Sequence, residues 1–167
     1  GSNSVAIGRD VLGGAYTGSD AVAIGRSALA ALTSGSNNVA VGGLAGTSLT
    51  EGLQNTLVGT QAGDALTDAD FNVAIGQSSL TADTLGSRST AVGYNTLGSQ
   101  NFTTATNSNN VAVGYNAGAS VTTGVSNVIL GALAGDALTD ADSNIAIGVQ
   151  ALGSDVLGSR SVAIGDG

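Results

Sequence analysis

The sequence predicts an all-β fold, a parallel β-solenoid or β-roll. Three observations carry this: an apolar four-residue phrase recurs ten times, its spacing is almost constant at 17 residues, and Gly closes every copy. A fixed period of this length means stacked repeats, each too small to bury its own apolar face.

The phrase begins as Val5-Ala6-Ile7-Gly8, Val22-Ala23-Ile24-Gly25, Val39-Ala40-Val41-Gly42 and Thr56-Leu57-Val58-Gly59. It returns at Val73, Thr90, Val111, Val128, Ile145 and Val162. Eight of nine intervals are 17 residues and one, from Thr90 to Val111, is 21. The prediction is therefore ten coils of about 17 residues, one of them longer. A second order of repetition lies above the first, because residues 38–93 match residues 110–165 at an offset of 72. Residues 1–167 thus read as a single repetitive segment, and with no initiator Met it is expected to be part of a longer fibre.

Each phrase reads as a strand. Its first position is β-branched in all ten copies and its third is Val or Ile in nine, residues that suit a pleated, packed surface. Alternation sends the first and third side chains to one face and the second to the other. The second residue is Ala in eight copies, with Leu57 and Ile129 departing. Both faces are then apolar, which implies burial on both. One fills the coil, and the other meets a partner. The flat Ala wall of Ala6, Ala23, Ala40, Ala74, Ala91, Ala112, Ala146 and Ala163 is expected to line a homotrimer contact, with the Val/Ile face as the alternative.

The remainder of the unit is expected to hold two turns and a second, weaker strand. Seventeen extended residues give a perimeter of at most about 56 Å, which suits a flattened two-sheet roll. No 3.6-residue pattern survives among so many Gly, Asn and β-branched residues, so helix is excluded. Asn precedes the strand in six copies (Asn38, Asn55, Asn72, Asn110, Asn127, Asn144). Stacked coils would align these side chains as a hydrogen-bonded ladder.

Composition narrows function. The 167 residues contain no His, Cys, Met, Pro, Trp or Lys, and four Arg stand against twelve acidic residues for a net charge of −8. An acidic chain without Lys argues against nucleic acid as a partner, because that requires clustered positive charge. No apolar run approaches the length of a membrane span, so no membrane insertion by this segment is expected. Without His, Cys or Lys the usual bases and nucleophiles are missing. The Asp residues follow the repeat rather than break it, so the chain is expected not to be an enzyme.

The phrases Asn3-Ser4-Val5-Ala6-Ile7-Gly8, Asn110-Val111-Ala112-Val113-Gly114-Tyr115-Asn116-Ala117 and Ser159-Arg160-Ser161-Val162-Ala163-Ile164-Gly165 resemble the head repeats of trimeric autotransporter adhesins. Similar repeats occur in bacteriophage tail fibres. The resemblance spans the chain and implies a left-handed roll, three chains around one axis, and an extracellular location on a bacterial surface or a virion tail fibre. The unit is longer than the family's usual repeat, and the family's neck and coiled-coil stalk are absent from this segment.

Two features stand apart from the periodic background. The phrase Gly-Asp-Ala-Leu-Thr-Asp-Ala-Asp occurs twice, placing Asp64, Asp68 and Asp70, then Asp136, Asp140 and Asp142, on turns. Three carboxylates so spaced suit a hard cation such as Ca²⁺, and a solvated acidic turn is the alternative. No other cofactor is implied. The four extra residues lie in a loop from Ser99 to Asn109, which is expected to bulge outward. It offers Phe102, Thr103, Thr104 and Asn107 to a host-surface protein or glycan. Arg88 and Arg160 share a register and are expected to form surface ion pairs.

The function expected from these features is a structural and adhesive segment of a trimeric fibre that attaches to a host cell or surface. A subunit of an extracellular filament or surface layer without a receptor is the alternative. An ice-binding face ranks below both, on the reading that no single register carries Thr across the coils.

Overall fold

The ten phrases become ten strands of one parallel sheet in the computed structural model, which describes residues 1–13 and 15–167. In chain order the strands are β1 (Val5–Ile7), β2 (Val22–Ile24), β3 (Val39–Val41), β4 (Thr56–Val58), β5 (Val73–Ile75), β6 (Gly86–Ser87), β7 (Thr90–Val92), β8 (Thr106–Asn107), β9 (Val111–Val113), β10 (Val128–Leu130), β11 (Ile145–Ile147) and β12 (Val162–Ile164). All but β6 and β8 belong to the ten-stranded sheet, in sequence order, and each pairs with its like position in the next coil. Val22 faces Val39 and Ala23 faces Ala40, for example. The enlarged coil does not disturb this register, since Thr90 still faces Val111 and Ala91 faces Ala112. The chain is thus an all-β parallel β-solenoid, and no helix occurs among the described residues.

Gly closes each phrase because the backbone demands it. Gly42 and Gly59 have φ of 142° and 135°, a region that side chains resist. A Cβ on Gly42 would also collide with the Gly59 carbonyl of the next coil. Close stacking and the bend thus select the same residue.

The opposite wall departs from the expected second sheet. Among the described residues β6 and β8 pair there, Gly86 with Thr106 and Ser87 with Asn107, and Ser2 makes a single bridge with Ser19. Elsewhere that wall is a run of turns joined coil to coil, as in Leu29 N–H to Ala45 O at 3.0 Å and Thr33 N–H to Thr50 O at 2.9 Å. Positive φ at Leu29, Leu80 and Leu97 breaks the extended backbone that a strand needs.

The coil interior overturns the expected role of the Ala wall. Ala23, Ala40, Ala74, Ala91, Ala112 and Ala146 are fully buried within the single chain. They pack in one core with Leu29, Leu32, Leu49, Leu66, Leu80, Leu97 and Leu138 from the turn wall. Ala6 is exposed and Ala163 half-buried because they lie in the first and last coils. The lumen is narrow, and bulky turn residues already fill it, so the strand centre must be small. Where the strand centre is large, the turn wall yields. Leu57 reaches within 2.7 and 2.8 Å of where Cβ atoms would stand on Gly46 and Gly63, and Ile129 within 2.9 and 3.3 Å of those on Gly118 and Gly135. The register that holds Leu29, Leu80 and Leu97 holds Gly in the coils of Leu57 and Ile129 and in the coil before each.

Candidate interaction surfaces

With Ala inside, the first and third residues of each phrase point away from the coil. They form two ranks of β-branched side chains along the outer face of the sheet. Most are partly exposed, and Ile75, Val111, Val113 and Ile145 are more so. Surface Val and Ile scattered singly are unremarkable, but a double rank along a sheet, Val or Ile at every position except Thr56, Thr90 and Leu130, is a largely apolar patch.

Beside these ranks, just past the closing Gly, Tyr94 and Tyr115 stack ring on ring with centroids 5.5 Å apart and planes 11° from parallel. Both are about half exposed, at 48% and 55%. The next residues continue the pairing, Asn95 Nδ2 donating to Asn116 Oδ1 at 3.1 Å. Neither Tyr was singled out from sequence. Their shared register after Gly93 and Gly114 was the available signal.

The Asn ladder forms, with amide-to-amide bonds from Asn55 Nδ2 to Asn38 Oδ1 at 3.0 Å and from Asn127 Nδ2 to Asn110 Oδ1 at 3.3 Å, and with backbone bonds beside them. Each Oδ1 accepts the backbone N–H at the same register in the next coil: Asn55, Asn72 and Ser89 donate in turn to Asn38, Asn55 and Asn72, all at 2.9 Å. In five of the six the Nδ2 turns across the coil to a carbonyl, as from Asn38 to Gly52 at 2.7 Å and from Asn127 to Ala141 at 2.8 Å. One side chain needs both a donor and an acceptor here, which Asn supplies and Asp does not. Asn144 Nδ2 is buried without a partner among the described residues.

The enlarged coil is only partly a loop. Phe102, expected on the surface, is 5% exposed. The ring is covered without joining the Ala and Leu core of the lumen. Thr103, Thr104 and Asn107 do face solvent, although Asn107 also belongs to β8. A buried polar network replaces the missing Asn rung. Gln100 Nε2 donates to Asp83 Oδ2 at 2.6 Å and to Ser89 Oγ at 3.0 Å, while Gln100 Oε1 accepts from Asn110 Nδ2 at 2.8 Å. Asp83 Oδ1 accepts from the N–H groups of Gly86 and Phe102 at 3.0 and 3.1 Å. Burial pushes the Asp83 carboxyl above its ordinary value, against these hydrogen bonds, which act the other way. Sequence reading passed over Asp83 because, without the fold, it is one acidic residue among twelve.

The acidic turns do not gather their carboxylates. Asp70 Oδ1 accepts from Leu53 N–H at 2.7 Å and Asp142 Oδ1 from Val125 N–H at 2.8 Å, joining one coil to the next. Asp64 Oδ1 accepts from Thr81 Oγ1 at 2.6 Å. Asp68 and Asp140 are exposed, and Asp136 is half-buried. Among the described residues no group of three or more potential ligands is placed to hold a metal ion. The expected Ca²⁺ set is therefore not assembled, because Asp70 and Asp142 serve as turn caps.

Two further expectations change. Arg88 lies over the Phe71 ring, 5.9 Å from its centroid, and the ion pair found among the described residues joins Arg9 and Asp10 at 3.4 Å, not Arg88 or Arg160. A single register does carry Thr, at Thr33, Thr50, Thr67, Thr84, Thr122 and Thr139. Thr33, Thr50 and Thr67 each donate their hydroxyl to the next coil's carbonyl at 3.1 Å. Their protons are committed to holding coils together.

No family model, curated protein or solved structure matches the chain.

Proposed function

We propose that the chain is a non-catalytic structural and adhesive segment of a homotrimeric fibre that attaches to a host cell or surface. The double Val/Ile rank on the outer face of the sheet carries this reading. An apolar strip of that length gains most by meeting its own copies side by side, since each coil alone buries little. The resemblance to adhesin heads and phage tail fibres supports such an arrangement and a location outside a cell or on a virion. In this arrangement the outward tip of the enlarged coil, with Thr103, Thr104 and Asn107, stays free for a receptor protein or glycan.

Adhesion of the labelled chain to candidate host cells tests the reading. Thr103→Ala with Thr104→Ala and Asn107→Ala is expected to reduce binding at least tenfold while the melting temperature moves by no more than a degree or two, as for exposed substitutions. Unchanged adhesion would place the receptor contact elsewhere. A complete lack of adhesion by the parent chain would favour a filament or surface-layer subunit with no receptor.

A further inference from the structure

The Val/Ile ranks have a weakness as an interface. They repeat every coil with almost the same residues, so two copies displaced by one coil would still place apolar on apolar and lose only an end rung. A periodic seam specifies association but not its axial register, the same degeneracy that lets featureless strands slip. A fibre with one register needs something aperiodic beside the seam.

We infer that the stacked pair Tyr94–Tyr115 is that element: it docks against the same pair of a second copy of this chain and sets the axial register. The inference rests on the homotrimer reading above. Three observations point to it. The pair follows immediately on Gly93 and Gly114, hence next to the outward-facing Val92 and Val113 at the edge of the apolar strip. It is unlike its neighbours in the same register, which are Thr60 and Gln77 on one side and Ala132 and Val149 on the other. The two rings are held against each other and still half exposed in a chain that has only five aromatic residues. Little side-chain freedom is left to lose on docking, which favours Tyr as an anchor.

Size is consistent with a second copy as occupant. Ten rungs at about 4.8 Å make a strip roughly 43 Å long. At a width of about 12 Å for two side-chain ranks, each copy contributes roughly 500 Å² in projection and three copies about 1,500 Å² together, so no pairwise contact in the trimer exceeds the roughly 1,000 Å² lower bound for a specific contact. An interface at that bound is sensitive to one aromatic cluster. In register, Tyr94 meets Tyr94 and Tyr115 meets Tyr115. A slip by one coil sets one of the two against Gln77 or Ala132, leaving a ring unpaired.

The chain has no Cys, so single labels report cleanly. Chains carrying Arg26→Cys and chains carrying Val149→Cys, each spin-labelled, are mixed, and the distance between chains is measured by pulsed electron resonance. The labels lie seven rungs apart, roughly 34 Å along the axis, so a one-coil slip moves the distance by several ångström. The parent chain is expected to give one narrow distance. Tyr94→Ser with Tyr115→Ser is expected to keep its association but spread the distance into a series stepped by about one rung. Moving the pair by two rungs, with Thr60→Tyr and Gln77→Tyr added to that variant, is expected to restore one distance. A single distance in the Tyr-free variant, or several in the parent, overturns the inference and leaves the trimer standing. Light scattering that reports a single chain removes both. A pair that binds added oligosaccharide while register is unaffected by its loss overturns the second-copy assignment in favour of a glycan.

Discussion

At the scale of single residues, the account turns on complementary volume across a narrow lumen. Ala at the strand centre answers Leu on the turn wall, while Leu57 and Ile129 answer Gly. Leu57→Ala should therefore leave a cavity that Gly46 and Gly63 cannot fill, at a cost of about 2–5 kcal/mol. Adding Gly63→Leu should recover part of that loss, because Leu80 occupies the same register with a positive φ of 51°. Chemical denaturation of the three variants checks this, and a double variant less stable than Leu57→Ala would refute the interlock. This arrangement was half legible. The β-branched phrase, the closing Gly and the Asn before the strand could be read because each answers a backbone demand repeated in every coil. Which face turned inward could not be read from the phrase, because both faces are apolar. The signal was elsewhere, in Gly63 and Gly135 replacing Leu in the coils of Leu57 and Ile129, and Gly46 and Gly118 replacing it in the coil before each. The Thr rank was missed, although counting from the strand start would have aligned it.

At the scale of the element, the enlarged coil is a splice. It absorbs four residues while Thr90 and Val111 stay in register, and Asp83 with Gln100 bridges the missing Asn rung. Sequence length alone suggested an outward bulge. It did not reveal that Phe102 is buried, since nothing in a single insertion states which of its side chains become covered. The buried Asp83 has a consequence for pH. Burial raises its folded carboxyl above the ordinary value of 3.8, so on acidification the folded chain takes up this proton before the unfolded chain does. Its contribution to stability therefore rises as pH falls from neutral through the folded value, and levels off below the ordinary carboxylate range. The difference in urea midpoint between the parent and Asp83→Asn should change in the parent's favour over that window. A difference that is flat with pH, or that favours the parent as pH rises, would contradict the assignment.

At the scale of the whole molecule, ten strands held in one register make a rod whose outer face is apolar for its full length. A rod of this kind is soluble as a single chain only if that face tolerates water, and it is more stable if its copies cover the face. Two apolar strand faces are what suggested a partner in the sequence, and they pointed to the Ala side. The structure fills that side with its own Leu residues, and the Val/Ile side is the apolar face that faces outward. Sedimentation equilibrium of the parent and of Val41→Asp with Val58→Asp at micromolar concentration tests this most directly. The account predicts three times the mass of one chain for the parent. The variant should have the mass of a single chain and an unchanged β-sheet circular dichroism signal, because both substitutions lie outside the coil. A parent chain that sediments as a monomer, or a variant that stays trimeric, would contradict the assignment of this face as the seam.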